Sequence, residues 1–291
     1  MNPLRRRGAL VSALVLALTG CSAPMPAPTS SPSGRPSSPS TAPFGGRKLI
    51  FIGQDLDVHA GASGAAPYTA FDKALADYIT RRLGIDYRPI VVTPSVREKY
   101  LEDGSVDLVI ASYVYTPARA RRVDFTGTYL VSESAVLVRK ENSANLSSRT
   151  DLPQSGRGVC TVANSIQSLD TLVRSHTARN DEACVTEVQK GKAFAYYSGL
   201  TIVSRMAATD PDLTVVRIPD LGSRTYSSVG IRLKSPDCTR VARLVKDFLR
   251  DEWRSDFQTH LKFLVSQDPD FMTTFRPTDT MVDRYTKCSA P

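Results

Sequence analysis

The clearest chemical capacity in this sequence belongs to an arginine that follows a hydroxyl group and a proline. Arg119 ends the segment Thr116-Pro117-Ala118-Arg119. Its guanidinium is a planar fork of donors that matches a carboxylate, which favours recognition of a small carboxylate-bearing molecule. Two structural roles stay open for these residues. Arg119 could be a surface arginine in a basic run with its neighbours, and Thr116 could cap a helix that begins at Pro117.

Residues that could perform catalysis or hold a metal are not arranged to do so. The sequence has neither a nucleophile-elbow motif nor a Cys-x-x-Cys pair. Its three histidines, His59, His176 and His260, are scattered without ligand spacing. We therefore expect no enzyme activity, no metal and no cofactor.

The formal charge of +8 is concentrated at the start of the chain. Five arginines and no acid precede residue 48, which leaves 32 bases against 29 acids in 48–291. Charges of both signs alternate there, whereas nucleic-acid binders concentrate lysine and arginine on one face. With 41% hydrophobic and 23% charged residues, the chain suits a globular protein of two ordinary domains or one large one, and we expect it to bind no nucleic acid.

The first 47 residues are predicted to be an export signal and a tether. Three arginines precede an apolar run of about ten residues, which is too short to span a bilayer. Residues 1–20 are therefore predicted to be a signal peptide. The tetrad Leu18-Thr19-Gly20-Cys21 resembles the lipobox of bacterial lipoproteins, in which Cys21 would become the lipid-bearing N-terminus. The Pro- and Ser-rich residues 21–47 would form an extended tether; a freely secreted protein is the alternative.

From residue 48 onward, short apolar runs alternate with segments of helical periodicity. Predicted strands lie at 48–53, 87–92, 106–111, 135–138, 158–162, 194–197, 213–218 and 227–233. Predicted helices lie at 71–83, 95–102, 165–174, 185–191, 200–208 and 241–257, and Gly84 is placed to end the first of them. This alternation predicts an α/β protein with parallel sheets covered by helices, in which a second α/β unit is inserted into the first.

One ordered set of residues is similar to a known family. The set is Phe71-Asp72, Arg97-x3-Leu101-x2-Gly104-x-Val106-Asp107-Leu108, Ala111-Ser112, Thr116-Pro117-x-Arg119, Val123-Asp124-Phe125, Tyr129 and Leu137-Val138-Arg139-Lys140. It resembles the polar-amino-acid branch, family 3, of the bacterial extracellular solute-binding proteins that serve ABC importers. The resemblance runs unevenly over most of residues 48–265.

The resemblance implies a two-lobe periplasmic-binding-protein-like (type II) fold with two hinge crossovers. Lobe one would comprise 48–138 plus 226–291, and lobe two 139–225. A small carboxylate-bearing ligand would lie in the cleft, and closure over it would signal occupancy to an ABC permease. The protein would be a monomer on the extracellular face of the cell membrane, held by its lipid anchor.

Four cysteines remain after Cys21, and in an exported protein they allow three disulfide pairings. The implied lobes favour Cys160–Cys184 and Cys238–Cys288, because each pair would then lie within one lobe.

The resemblance also implies the site residues. Arg119 would hold the ligand α-carboxylate, with Ser112 and Thr116 on the same side. From lobe two, Asn164 and Ser165 stand at a helix start, where free N–H groups and the helix dipole favour the same anion. A donor that the family usually carries next is replaced by Ile166.

The sharpest departure from the family is at Phe194 and Gly199, where its members carry aspartates. The second aspartate accepts the ligand ammonium, and its loss would cost about 1.5–3 kcal/mol. Asp55 or Asp57 could supply the charge, although both could be solvated loop acids. Tyr68 and Tyr113 are further candidates, although ordinary partly buried tyrosines are the favoured interpretation. Arg97 could meet a second acidic group on the ligand, although a surface position on a helix is the favoured expectation.

Two other functions remain open. A degenerate paralogue could sense a ligand or contact a partner protein, as the loss of both aspartates suggests. An enzyme on the same architecture, such as a dehydratase-like hydrolyase, is less favoured because no catalytic set is present.

Overall fold

Two mixed β-sheets organise the described residues of the computed structural model, which are 42–55, 69–153, 156–165, 173–221 and 224–290. The strands are β1 (Leu49–Gln54), β2 (Asp86–Val91), β3 (Leu108–Val109), β4 (Asp124–Ser132), β5 (Ser134–Arg139), β6 (Val159–Val162), β7 (Ser175–Ala178), β8 (Ala195–Gly199), β9 (Leu213–Val216), β10 (Thr225–Ile231) and β11 (Thr286–Lys287). The helices are α1 (Ala70–Leu83), α2 (Arg97–Glu102), α3 (Asp181–Gln189), α4 (Leu200–Thr209), α5 (Cys238–Asp251), α6 (Trp253–His260), α7 (Lys262–Val265), α8 (Phe271–Phe275) and α9 (Asp279–Arg284).

The first sheet has the strand order β11-β4-β10-β3-β1-β2, and the second has the order β7-β6-β8-β5-β9. We call the first sheet with its helices lobe one, and the second sheet with α3 and α4 lobe two. Strands β1, β2 and β3 are parallel, as are β6, β7 and β8, whereas β5 and β10 run antiparallel to their neighbours. The α/β class is therefore confirmed.

The predicted strand–helix–strand unit at the start of lobe one is confirmed. Ile50 and Ile52 are fully buried on one face of β1, where they share a hydrophobic cluster with Phe71 and Leu75 of α1. Helix α1 ends at Gly84, whose φ of 64° lies in the left-handed region that glycine adopts at little cost.

The chain crosses between the sheets twice. Only Glu133 separates β4 from β5, so the first crossing precedes the predicted lobe boundary at 138, because all of β5 pairs within the second sheet. The second crossing lies between β9 and β10. Arg217 and Glu133 form an ion pair that joins the two crossings.

Strand β4 was not predicted, because polar residues interrupt its apolar pattern. All nine of its residues are buried, and its polar groups are satisfied by distant partners. Thr128 Oγ1 donates to the Ser227 carbonyl at 2.8 Å, and Asp124 accepts the N–H of Lys234 at 2.7 Å. The predicted helix over 241–257 is two helices instead, since Glu252 leaves the helical region with φ of −128°.

Both predicted disulfides are confirmed. Cys160 on β6 is bonded to Cys184 on α3 within lobe two, and Cys238 on α5 is bonded to Cys288 within lobe one. The second bridge ties the segment that follows α9 to the start of α5.

Several predictions lie outside the described residues. They concern the signal peptide, Cys21, most of the tether, Asp57, Tyr68, Ile166 and most of the predicted helix 165–174. Of the helices within the described ranges, none combines the length and apolarity that a bilayer crossing requires.

Candidate functional site

Arg119 lies on a turn of 3-10 helix, Arg119–Arg121, at the boundary between the lobes. The N–H of Ala120 donates to the Thr116 carbonyl at 2.9 Å, and Thr116 Oγ1 accepts the N–H of Arg119 at 3.2 Å. The N-cap of this turn is Ala118, so the Thr116 hydroxyl does not cap it, but its hydrogen bond from Arg119 restrains the residues that lead into the turn.

The guanidinium of Arg119 joins lobe one to lobe two. Its Nη1 donates to the Val114 carbonyl at 2.8 Å, and its Nε lies 3.1 Å from Oε1 of Glu98. Its Nη2 donates across the boundary to the carbonyls of Asn164 at 2.8 Å and Ser165 at 2.9 Å. Two neutral carbonyls of lobe two thus occupy donors that could serve a ligand carboxylate.

A cleft of about 550 Å³ lies beside this contact. Its walls come from both lobes and include Thr116, Arg119, Asn164 and Ser165, so the structure brings together four of the predicted site residues. The Ser165 hydroxyl donates to the Val162 carbonyl at 2.7 Å, within its own lobe.

Ser112 lines a different and smaller cavity, of about 110 Å³, together with residues of both sheets' helices. Its N–H donates to Asp72 Oδ2 at 3.0 Å and its φ is 47°. Asp72 also accepts the hydroxyls of Thr69 at 2.7 Å and Tyr129 at 2.6 Å. The buried carboxylate of Asp72 thus accepts these three hydrogen bonds from protein groups, and one of them fixes the backbone of Ser112 at the edge of the cavity.

Arg97 and Asp55 form an ion pair near the same boundary, with Nη2 and Oδ2 2.7 Å apart. Arg97 is 5% exposed, so the expectation of a surface helix position was wrong. Burial raises the pKa of Asp55 to about 6 even though the Arg97 charge opposes this shift. Burial, followed by the charge of Arg97, lowers the pKa of Arg119.

Asp181 of lobe two is a functional candidate that sequence reasoning missed. It is the first residue of α3, and with Asp55 it lines an interlobe cavity of about 90 Å³. The hydroxyl of the buried Tyr196 donates to Asp181 Oδ1. Asn180, which precedes Asp181, is recognisable as a helix cap, but no local pattern reveals that this helix start faces the other lobe.

The two positions where the family carries aspartate have no polar replacement. Phe194 packs against the hydrophobic cluster of lobe two. Gly199 precedes α4 at its N-cap and pairs with Ser134 on β5. Any acidic partner for a ligand cation must therefore come from other elements, and Asp55 and Asp181 are at the boundary.

Tyr113, predicted as a candidate ligand contact, is fully buried. Its hydroxyl donates to Glu98 Oε1 at 2.8 Å, and its ring lies 5.0 Å from the Phe125 ring and 5.2 Å from the Arg119 guanidinium carbon. The structure therefore does not bring Tyr113 to the surface of the cleft. Tyr113 instead packs against the Arg119 guanidinium from the interior of lobe one.

One group of potential metal ligands occurs among the described residues. Atoms of Cys160, His176 and Glu187 lie within 4.8 Å of one another. Because Cys160 is bonded to Cys184, only His176 and Glu187 remain as ligands, and they pair with each other at 2.5 Å. Two ligands do not fit a structural metal site.

The sequence pattern of a known family covers most of this architecture. The model of the bacterial extracellular solute-binding proteins, family 3, matches residues 63–274. The chain belongs to this family. The resemblance inferred from the motifs is confirmed, and the family is one of solute-binding receptors rather than enzymes.

Two curated relatives of this solute-binding protein are glutamate-binding proteins GluB. The one from Corynebacterium efficiens is 28% identical over 157 residues, which cover 50% of this chain and 53% of the relative. The one from Corynebacterium glutamicum is 27% identical over 183 residues, which cover 58% and 61%. The solute-binding protein therefore matches little more than half the length of these relatives.

Solved structures show that the solute-binding protein has the two-lobe, type II periplasmic-binding-protein fold. The substrate-binding protein AbpA from Streptococcus pneumoniae, bound to L-arginine, is 17% identical with a TM-score of 0.68, covering 74% of this chain and 95% of its own. The receptor for L-cysteine of Neisseria gonorrhoeae is 17% identical with a TM-score of 0.68, covering 79% and 96%. The ancestral amino-acid-binding protein AncCDT-1, described as a precursor of cyclohexadienyl dehydratase, is 21% identical with a TM-score of 0.62, covering 73% and 94%.

Proposed function

We propose that this solute-binding protein captures a small amino acid between its lobes and presents it to an ABC importer. The family match supports a receptor role, and the relatives named above are described as binding glutamate, arginine or cysteine. The observation that carries the proposal is the reach of Arg119 from lobe one to Asn164 and Ser165 of lobe two, beside a cleft large enough for an amino acid.

The α-carboxylate of the ligand would bind Arg119. A charge-assisted hydrogen bond from a guanidinium to a carboxylate is roughly twice as strong as one to a neutral carbonyl. A carboxylate would therefore displace the carbonyls of Asn164 and Ser165 from Nη2, while Val114 and Glu98 keep the other side of the guanidinium in place. The residue that closes the lobes would then be the residue that senses the ligand.

The ammonium of the ligand would lie between Asp55 and Asp181. The charge of Asp181 contributes to the raised pKa of Asp55, so the two carboxylates act on each other across the lobe boundary. Arg97 pairs with Asp55. Among Arg97, Asp55 and Asp181, one negative charge is therefore left uncompensated. A bound cation would balance that charge and lower the pKa of Asp55, in place of the aspartate missing at 199.

The cellular setting follows from the N-terminal pattern. A lipid on Cys21 would anchor the protein at the extracellular face of the membrane. Residues 22–41 would act as an extended tether, which ends earlier than the predicted residue 47 because Phe44 packs in a hydrophobic cluster with residues of lobe one and its N–H donates to Asp237 at 2.9 Å. A monomer on this tether would deliver the amino acid to its permease.

Titration calorimetry of the chain from residue 22 tests the proposal. L-glutamate, L-arginine and L-cysteine are each compared with the analogue that lacks the α-carboxylate: γ-aminobutyrate, agmatine and cysteamine. We expect at least one amino acid to bind saturably and its analogue not to bind. Arg119→Met should abolish this binding, while Arg121→Met, an exposed arginine on the same turn, should retain it.

Equal binding of an amino acid and its analogue would contradict the carboxylate role of Arg119. Absence of binding by all three amino acids would favour the degenerate paralogue, for which the specific observation is that positions 194 and 199 carry Phe and Gly and no carboxylate.

A further inference from the structure

The segment after α8 contacts both the turn that carries Arg119 and the residues that lead into this turn. Lys287 Nζ donates to the carbonyl of Ala120, the middle residue of the turn, at 2.8 Å. The ring of Tyr285 lies 5.3 Å from the ring of Tyr115, which precedes the turn. Both contacts come from residues beyond the stretch 63–274 that the family model matches.

The backbone of this segment is fixed next to both contacts. Lys287 pairs with Phe125 of β4, and the following Cys288 is bonded to Cys238. Ser289 then donates its hydroxyl to Asp124 at 2.8 Å. The Lys287 side chain therefore extends from an anchored backbone, which lowers the entropy lost when it binds the Ala120 carbonyl.

Tyr285 also contacts the strand by which the chain returns to lobe one. Its ring stacks on that of Tyr226 in β10, with centroids 4.0 Å apart. The carbonyl of Tyr226 accepts the N–H of Tyr115 at 2.9 Å. Tyr285 thus covers two tyrosines that are hydrogen-bonded to each other, one before the Arg119 turn and one on the returning strand.

A glycine in β4 permits the close approach of α9 that these contacts need. Gly127 has φ of 100°, and a Cβ there would lie 2.5 Å from Cγ1 of Val282 in α9. A side chain at this position would displace α9, and with it the segment that carries Tyr285 and Lys287.

We propose that Tyr285 and Lys287 are positioning residues of the amino-acid site, because they hold the turn that presents the Arg119 guanidinium to the ligand. This inference rests on the proposed function. Ala120 is buried and directly follows Arg119, and its carbonyl belongs to the peptide that joins it to Arg121, so holding this carbonyl restrains the middle of the turn that begins at Arg119. A bidentate guanidinium contact depends strongly on that orientation.

Calorimetry with L-glutamate, L-arginine and L-cysteine provides the first test. For whichever amino acid binds the wild type, Lys287→Met should weaken affinity about fivefold, as the loss of one typical hydrogen bond predicts. Lys287→Arg should restore most of it. Lys246→Met is the matched control, because Lys246 pairs with Asp283 of the same segment and does not contact the turn. Unchanged affinity in Lys287→Met would overturn the inference.

Hydrogen exchange of the ligand-free protein provides the second test. In Lys287→Met and Tyr285→Ala, the amides of residues 119–123 should exchange faster than in the wild type and in Lys246→Met. Equal exchange in all four proteins would overturn the positioning role even if none of the three amino acids binds. A wild type that binds none of them would contradict the proposed function alone.

Discussion

The carbonyl oxygen of Asn164 accepts a hydrogen bond of 2.8 Å from Nη2 of Arg119, which joins a loop of lobe two to a turn of lobe one. Asn164 has φ of 58°, a left-handed conformation that asparagine tolerates better than most residues. A ligand carboxylate and this carbonyl would compete for the same donor. Under the proposed function, ligand capture and lobe closure would therefore be coupled through a single guanidinium.

Restoring the missing aspartate should strengthen amino-acid binding. We expect Gly199→Asp to raise affinity about tenfold, because a carboxylate at the N-cap of α4 would add a charge-assisted hydrogen bond to the ligand ammonium. Gly199→Asn keeps the shape and capping ability without the charge, and it should bind like the wild type. Calorimetry of the three proteins compares these affinities, and equal affinities for the two variants would count against a ligand ammonium within reach of residue 199.

The stability of the protein should depend on the protonation of Asp55. Its pKa is raised from 3.8 to about 6, so the folded protein binds this proton more tightly than the unfolded chain does. The resulting stabilisation is complete below the ordinary pKa and is lost as pH rises through about 6. Between pH 4 and 7 the free energy of unfolding should therefore fall by about 2–3 kcal/mol relative to Asp55→Asn. Urea unfolding of both proteins between pH 4 and 7 measures this change. A difference in the free energy of unfolding between the wild type and Asp55→Asn that does not vary with pH would refute the prediction.

Each disulfide should contribute substantially to stability. The bridges close stretches with sequence separations of 24 and 50 residues. Loop-closure entropy then predicts a loss of about 3 kcal/mol when Cys160 and Cys184 are both replaced by alanine, and about 4 kcal/mol for Cys238 and Cys288. The free energy of unfolding in urea measures both losses. A cost below about 1 kcal/mol for either pair would show that the bridge constrains the unfolded chain very little.

Lipidation at Cys21 can be tested in cells. Cys21→Ala should move the protein from the membrane fraction to the medium, because the tether alone has no apolar segment that would hold it at a bilayer. Cell fractionation with immunoblotting measures this distribution. A wild-type protein found mainly in the medium would favour the freely secreted alternative.

Local signals in the sequence predicted much of lobe one and the covalent framework. The helical spacing that ends at Gly84 and the apolar run of β1 correspond to α1 and its parallel strand. Strand β4 escaped prediction for a physical reason: its buried polar groups find partners such as Ser227 and Lys234, about a hundred residues later in the chain. Short-range periodicity carries no information on such partners.

Some residues of the candidate site could be predicted from local motifs, and others depend on long-range packing. Arg119, Asn164 and Ser165 were brought to one cleft, and they could be predicted because motifs mark them. Asp181 and the buried state of Arg97 could not be predicted, because each depends on which residues of the other segments come to the lobe boundary. Tyr113 was a candidate because it is an aromatic residue close to the motif, but its side chain is buried in the core.

A crystal structure of the protein with the amino acid that binds it most tightly would test the role of Arg119 directly. We predict that a carboxylate oxygen of the ligand accepts a hydrogen bond from Arg119 Nη2 in place of the carbonyls of Asn164 and Ser165. A complex in which Arg119 keeps both carbonyls while the ligand carboxylate lies elsewhere would contradict it.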